Sequence, residues 1–104
     1  MDTEDAKATI KRIVLQHVPD AEVILYGSRA RGDAASDSDW DLLILTPGDL
    51  SQQVEEQMRR ALYEWEWEHD EVVTPIFRSK ASWNSPLMAA TPFHQNVMRE
   101  GARL

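Results

Sequence analysis

The chain has 104 residues, 42% of them apolar and 28% charged, enough for one hydrophobic core and not for two. Its 11 Lys and Arg against 18 Asp and Glu give a net charge of −7, which argues against a general nucleic-acid binder, because that attraction rests on Lys and Arg neutralising phosphates. Cysteine is absent, so disulfide scaffolds and thiolate metal sites are excluded. Neither a long apolar run nor a signal-peptide pattern over Met1–Ile10 is present, so the expectation is a single cytoplasmic domain over residues 1–104 without a membrane span.

In chain order, Thr3 to His17 places Ala6, Ile10, Ile13 and Val14 at a one-faced helical spacing. Asp2 or Thr3 can cap this helix, and Glu4 and Asp5 suit the positive end of its dipole. Pro19-Asp20 stops it, and the β-branched-rich run Glu22–Tyr26 predicts a first strand. A polar loop of small residues follows, opening on Gly27-Ser28 and closing on Asp37-Ser38-Asp39. A second apolar strand, Trp40–Thr46, leads out of it to the turn Pro47-Gly48.

Asp49 or Ser51 caps a second helix to about Glu68, with Val54, Met58, Ala61, Leu62 and Trp65 forming its buried stripe. Tyr63 and Trp67 fall on the opposite side with Glu56 and Arg60, either covered by later chain or offered to a partner. Glu71–Phe77 predicts a third strand, placed at a sheet edge because Pro75 cannot donate a ladder hydrogen bond. Short helical pieces follow: one capped by Ser79 or Ser82 near Trp83, one opened by Ser85-Pro86, and a last one opened by Thr91-Pro92 and ended by Gly101. Phe93 and Val97 make the apolar face of that last helix, and Arg103-Leu104 is a short tail. The fold class is α/β (α+β): order α-β-β-α-β-α, a small mixed three-stranded sheet with helices packed on it.

Chemistry concentrates in the loop between the first two strands. Alternate residues of a strand share a face, so Asp39 and Asp41 lie together roughly 7 Å apart at Cα, while Trp40 turns to the other side. Two such carboxylates can converge on a hard cation, and Mg²⁺ suits an all-oxygen site completed by phosphate. Gly27 lets backbone approach a phosphate closely, Ser28 offers an N–H and a hydroxyl, and Arg29 or Arg31 adds charge for a triphosphate. Asp33 and Asp37 read as solvated loop residues or turn formers.

Gly27-Ser28-Arg29-Ala30-Arg31-Gly32 followed by Ser38-Asp39-Trp40-Asp41-Leu42 resembles the signature of the polymerase-beta-like nucleotidyltransferase superfamily, in particular its minimal single-domain members. Thr91-Pro92-Phe93 through Asn96-Val97 to Glu100-Gly101 is similar to the ending of some small members. The resemblance implies a polymerase-beta palm-like fold, binding of the nucleotide triphosphate by Gly27, Ser28 and Arg31, and two Mg²⁺ ions held by Asp39 and Asp41. It implies transfer of a nucleoside monophosphate, AMP from ATP as the favoured donor, to a hydroxyl of a protein or small acceptor with release of pyrophosphate. Members of the family add a third carboxylate from the third strand. Glu71 is the favoured candidate and Asp70 the other, while the strand centre Val72-Val73-Thr74 has no acid.

Larger members place base and acceptor recognition in a second domain, for which 104 residues leave no room, so that surface falls to the acceptor or a partner chain. By analogy with minimal members, the partner is a HEPN-type helical protein in a toxin–antitoxin pair, with this chain as antitoxin. The alternative is a binding module with little or no turnover that neutralises such a partner by contact. Nucleotide addition to RNA is disfavoured by the acidic balance and the lack of a basic stripe. His17, His69 and His94 show no metal-ligand spacing and read as helix-end or surface residues. Ser28 has no recognisable His partner, which disfavours a nucleophilic hydrolase. Met58, Met88 and Met98 read as core filler, and Arg59 and Arg60 pair with Glu55 and Glu56 on a solvated helix face.

Overall fold

A computed structural model describes residues 2–33 and 38–104. Helix α1 (Thr3–His17) starts at Asp2, whose side chain accepts from the Asp5 N–H, and buries Ala6, Ile10 and Val14. Strand β1 (Glu22–Tyr26) alternates buried and half-buried residues, and a one-turn helix α2 (Ser28–Arg31) follows Gly27 directly. Strand β2 (Trp40–Thr46) is buried along almost its whole length. Helix α3 (Gln52–His69) is capped by Ser51 and buries Met58, Leu62 and Trp65 of the predicted stripe, while Val54 and Ala61 are half-buried. Strand β3 (Val73–Ser79) is followed by short helices α4 (Lys80–Trp83) and α5 (Pro86–Ala89), then α6 (Pro92–Glu100) and strand β4 (Ala102–Arg103). Ser79, Ser85 and Thr91 cap the three short helices through their hydroxyls.

The sheet order is β3-β2-β1-β4, with β2 antiparallel to β1 and parallel to β3. Pro75 therefore sits on an edge strand, where its missing N–H costs no ladder bond on the outer side. Three points differ from the sequence expectation. The third strand begins at Val73, so Glu71 lies in the connection before it. The Gly-Ser loop contains a helical turn, α2. The expected tail is instead a fourth strand, in which Ala102 and Arg103 pair with Leu25 and Ile24 and the Leu104 N–H donates to the Val23 carbonyl.

Both faces of the sheet are covered. Trp40, Leu42 and Ile44 of β2 join Val23, Leu25 and the buried faces of α1 and α3 in one core. Leu43 and Leu45, on the alternate face, join Trp83 and Val97 of α4 and α6 in a second. A strand apolar on both faces is what a central position under two helical layers requires. That position fixes Asp39 and Asp41 at the start of the most enclosed strand.

Candidate active site

Asp41 stands opposite Tyr26 in the β1–β2 ladder and beside Thr74 in the parallel β2–β3 ladder. Asp39 precedes β2 on the same face and is exposed, while Asp41 is half-buried. Burial, and then the charge of Asp39, hold the Asp41 carboxyl above its ordinary range, with the Arg31 guanidinium pulling the other way. Burial, and then the charge of Asp41, likewise raise the Tyr26 hydroxyl. Two carboxylates that crowd one another are a site that a cation would relieve.

Gly27 is built into this arrangement. Its φ of 76° and ψ of −157° belong to a region that side-chain-bearing residues essentially do not enter. A Cβ there would collide with a carboxylate oxygen of Asp41, so the empty space at Gly27 is where the Asp41 side chain sits. The Gly27 carbonyl accepts from the N–H groups of Ala30 and Arg31, both at 3.1 Å, which folds Ser28–Arg31 into its turn. Gly32, in the left-handed region, ends that turn.

The two arginines of α2 have different surroundings. Arg29 points inward: it donates to the Ser38 carbonyl at 2.8 Å and to Glu71 Oε2 at 3.3 Å, and its guanidinium lies 4.3 Å over the Trp40 ring. Trp40 Nε1 donates to the same Glu71 oxygen at 3.1 Å. Glu71 thus ties α2 to the start of β2 from the connection before β3. Arg31 is exposed and paired with Asp33 at 3.3 Å and with Glu100 of α6 at 3.1 Å, and these hydrogen bonds raise its pKa.

Of the residues singled out in the sequence, the structure brings Gly27 and Asp41 into contact and keeps Arg31 near enough to Asp41 for their charges to interact. It does not gather Glu71 with Asp39 and Asp41: among the described residues no group of three Asp, Glu, His or Cys side chains is placed to hold a metal. Asp70 is the left-handed C-cap of α3 and exposed. At the strand position where an acid was sought, Thr74 donates its hydroxyl to Asp39 Oδ2 at 3.5 Å. Asp33 is exposed and pairs with Arg31, whereas Asp37 lies outside the described residues.

One acid near the pair escaped the sequence reading. The Glu66 carboxyl on α3 is raised by burial and then by the charge of Asp39, with the nearby Val73 backbone pulling the other way. Its signal was available only in part, as the residue beside buried Trp65 on a helix that reaches the sheet edge. The donor set fits a hard divalent cation: Asp39 and Asp41 offer oxygen ligands from one face and leave the remaining positions to phosphate and water, as Mg²⁺ prefers.

The nucleotidyltransferase domain family matches residues 7–99. Among solved structures, a minimal nucleotidyltransferase is similar at 25% identity, over 100% of this chain and 97% of its own, with a TM-score of 0.64. A toxin–antitoxin crystallised with AMP-PNP aligns at 18% identity over 92% of this chain and 69% of its own, with a TM-score of 0.64. The toxin–antitoxin MntA-HpeT aligns at 19% identity over 94% and 70%, with a TM-score of 0.63. At these lower identities the likeness is one of fold. No curated protein sequence matches the chain.

Proposed function

The chain belongs to the nucleotidyltransferase domain family, and we propose that it transfers a nucleoside monophosphate, AMP from ATP, to a hydroxyl of a protein or small acceptor. The observation that carries this reading is the interlock of Gly27 and Asp41, which puts a phosphate-permissive backbone against a half-buried carboxylate on the central strand.

In this reading Gly27 and Ser28 receive the triphosphate, the first by lacking a side chain and the second through its N–H and hydroxyl. Arg31, already within electrostatic reach of Asp41, exchanges Asp33 and Glu100 for phosphate oxygens. Asp39 and Asp41 hold Mg²⁺, which when bound offsets phosphate charge and acidifies the acceptor hydroxyl. The acceptor oxygen forms a bond to the α-phosphorus, the bond to the bridging oxygen breaks with its electron pair leaving on pyrophosphate, and the hydroxyl proton passes to water. Glu71 is assigned to positioning, because Trp40 and Arg29 occupy its carboxylate.

The toxin–antitoxin neighbours, one of them crystallised with AMP-PNP, support a role in such a pair, and by analogy with minimal members this chain is its antitoxin and a HEPN-type protein the acceptor. Incubation with a purified partner, labelled ATP and Mg²⁺ tests the reading: label moves to the partner and is lost in the Asp39→Ala/Asp41→Ala double variant. Equal partner binding by both proteins with no transfer by either would establish the second reading, neutralisation by contact, which the engagement of Glu71 with Trp40 and Arg29, away from Asp39 and Asp41, favours.

A further inference from the structure

Charge is unevenly spread over this molecule. The chain carries a net charge of −7, yet residues 6–19 hold Lys7, Lys11 and Arg12 and no Asp or Glu. The acids of α1, Glu4 and Asp5, are confined to its first turn. Because Ala6, Ile10 and Val14 face the core, Ala8, Lys11 and Arg12 fall on the outer side of the helix and Lys7 on its flank. A hollow of about 310 Å³ lies between α1 and β4, and its charged lining is Glu4, Lys7, Lys11 and Arg103. A second, of about 450 Å³, runs along α1, and its charged lining is Lys11 and Arg12, with Leu15 beside them. The two share Ala8 and Lys11, so they form one surface. No such stripe shows in the sequence, because Arg103 joins the cations of α1 only through the pairing of β4 with β1.

Over the whole of that surface four cations line the walls against one acidic side chain, and that one, Glu4, is already paired with Lys7 at 3.4 Å. A main-chain carboxylate at Leu104 would still leave the cations twice as many as the acids. Glu22, outside the lining, reaches Arg103 at 3.7 Å and is shared with Lys80 at 3.4 Å. Lys11 and Arg12 are exposed and have no ion pair among the described residues. Like charges held side by side on one surface, without counterions of their own, are relieved by a partner of opposite sign.

We propose that this face of α1 and β4 docks an acidic segment of a partner protein, with carboxylates against Lys7, Lys11, Arg12 and Arg103 and an aliphatic side chain over Ala8 and Leu15. The inference stands apart from the transferase reading, since it needs a partner and no turnover. Helix α1 covers the sheet face of Trp40 and Leu42, and alternation puts Asp39 and Asp41 on the opposite face, so a segment docked here leaves the aspartates free. Single-stranded nucleic acid stacks its bases on aromatic side chains, and none lines this surface. A duplex would run past four cations onto a molecule of charge −7. A lipid surface would have to bury the apolar side of the helix, which is already spent on the core. Two copies of the chain meet with net charges of the same sign.

Fluorescence anisotropy on the full chain tests this with two labelled peptides of equal length, one combining leucines with glutamates and the other leucines with lysines. The glutamate peptide binds about tenfold tighter, and its affinity falls as salt is raised. Lys11→Glu/Arg12→Glu weakens it about tenfold and the milder Lys11→Gln/Arg12→Gln about threefold, both variants melting with the native chain. Arg60→Glu/Arg78→Glu, the same change of net charge at two exposed cations elsewhere, leaves the binding unchanged. Equal losses in the two charge-reversed variants, or equal binding of the two peptides, would overturn the proposal. So would tripolyphosphate or a thymidine oligonucleotide binding as tightly as the glutamate peptide, or a dimer in sedimentation that Lys11→Glu dissolves. The Asp39→Ala/Asp41→Ala variant binds the glutamate peptide as the native chain does, and loss of binding there would move the peptide to the aspartates and refute the docking surface. Peptide binding without any transfer by the native chain refutes the transferase reading alone.

Discussion

Glu71 separates two roles that activity alone would confuse. Its Oε2 takes the Trp40 indole N–H at 3.1 Å and the Arg29 guanidinium at 3.3 Å, with only 21% of its side chain exposed. Glu71→Ala strands the N–H of a ring that is 1% exposed, a loss of about 1–3 kcal/mol. Arg29 keeps the Ser38 carbonyl and the Trp40 ring, so its share of the loss is smaller. The sum is about 2 kcal/mol, which in a domain of this size lowers Tm by roughly 10 °C. Glu71→Gln still accepts from both donors and loses only the charge, so it melts within a few degrees of the native chain. The assay pairs thermal melts with steady-state transfer at saturating ATP. A positioning residue predicts that Glu71→Gln keeps most of kcat, whereas loss of a general base costs about 10²–10⁴-fold. An unchanged Tm with a hundredfold fall in kcat for Glu71→Gln would refute the positioning argument and restore Glu71 as a catalytic base.

Gly27→Ala should cost about 1–3 kcal/mol for its backbone region and also displace the Asp41 carboxylate, so melts and ATP calorimetry both change. Gly32→Ala meets no neighbour and bears only the left-handed φ, so it lowers Tm but leaves ATP affinity intact. Asp41 holds its proton more tightly folded than unfolded, so its contribution to stability is present at acid pH and lost as pH rises through the raised value. Without metal, Asp41→Asn therefore raises Tm relative to the native chain at pH 7, the gain shrinking as pH falls, and it removes the Mg²⁺-dependent rise in Tm. Arg31→Ala removes solvent-facing ion pairs to Asp33 and to Glu100, which keeps Arg99, with little change in Tm, while raising the KM for nucleotide in transfer assays.

Strand alternation made Asp39, Trp40 and Asp41 legible, because a period of two assigns faces without knowledge of the partners. Trp40 duly packs edge to face on Trp65, 6.4 Å away, under α3. Pro75 located the sheet edge through a missing donor. What the sequence could not display lies in long-range contacts: Glu71 meets Arg29 and Trp40 across separations of 42 and 31 residues, and no local pattern announces either. Strand β4 is exposed at both residues and held by backbone bonds, so it has no hydropathic signature. Helix α2 is a single turn without room for periodicity, and its shape follows from carbonyls on Gly27 and Ser28. Thr74 and Glu66 became neighbours of Asp39 only once β3 and α3 had been set beside β2.

The placement of the four tryptophans gives the protein an internal set of optical reporters. Trp40 lies beneath Arg29 and registers any movement of the turn that follows Gly27, whereas Trp67, exposed on α3, registers whatever covers that face of the helix. Trp83 sits in the second core, 4.3 Å from the His94 ring, and follows the integrity of the α4–α6 layer. Single-tryptophan variants would let emission wavelength and quenching separate nucleotide arrival, partner arrival and loosening of the far face in one sample without an attached dye.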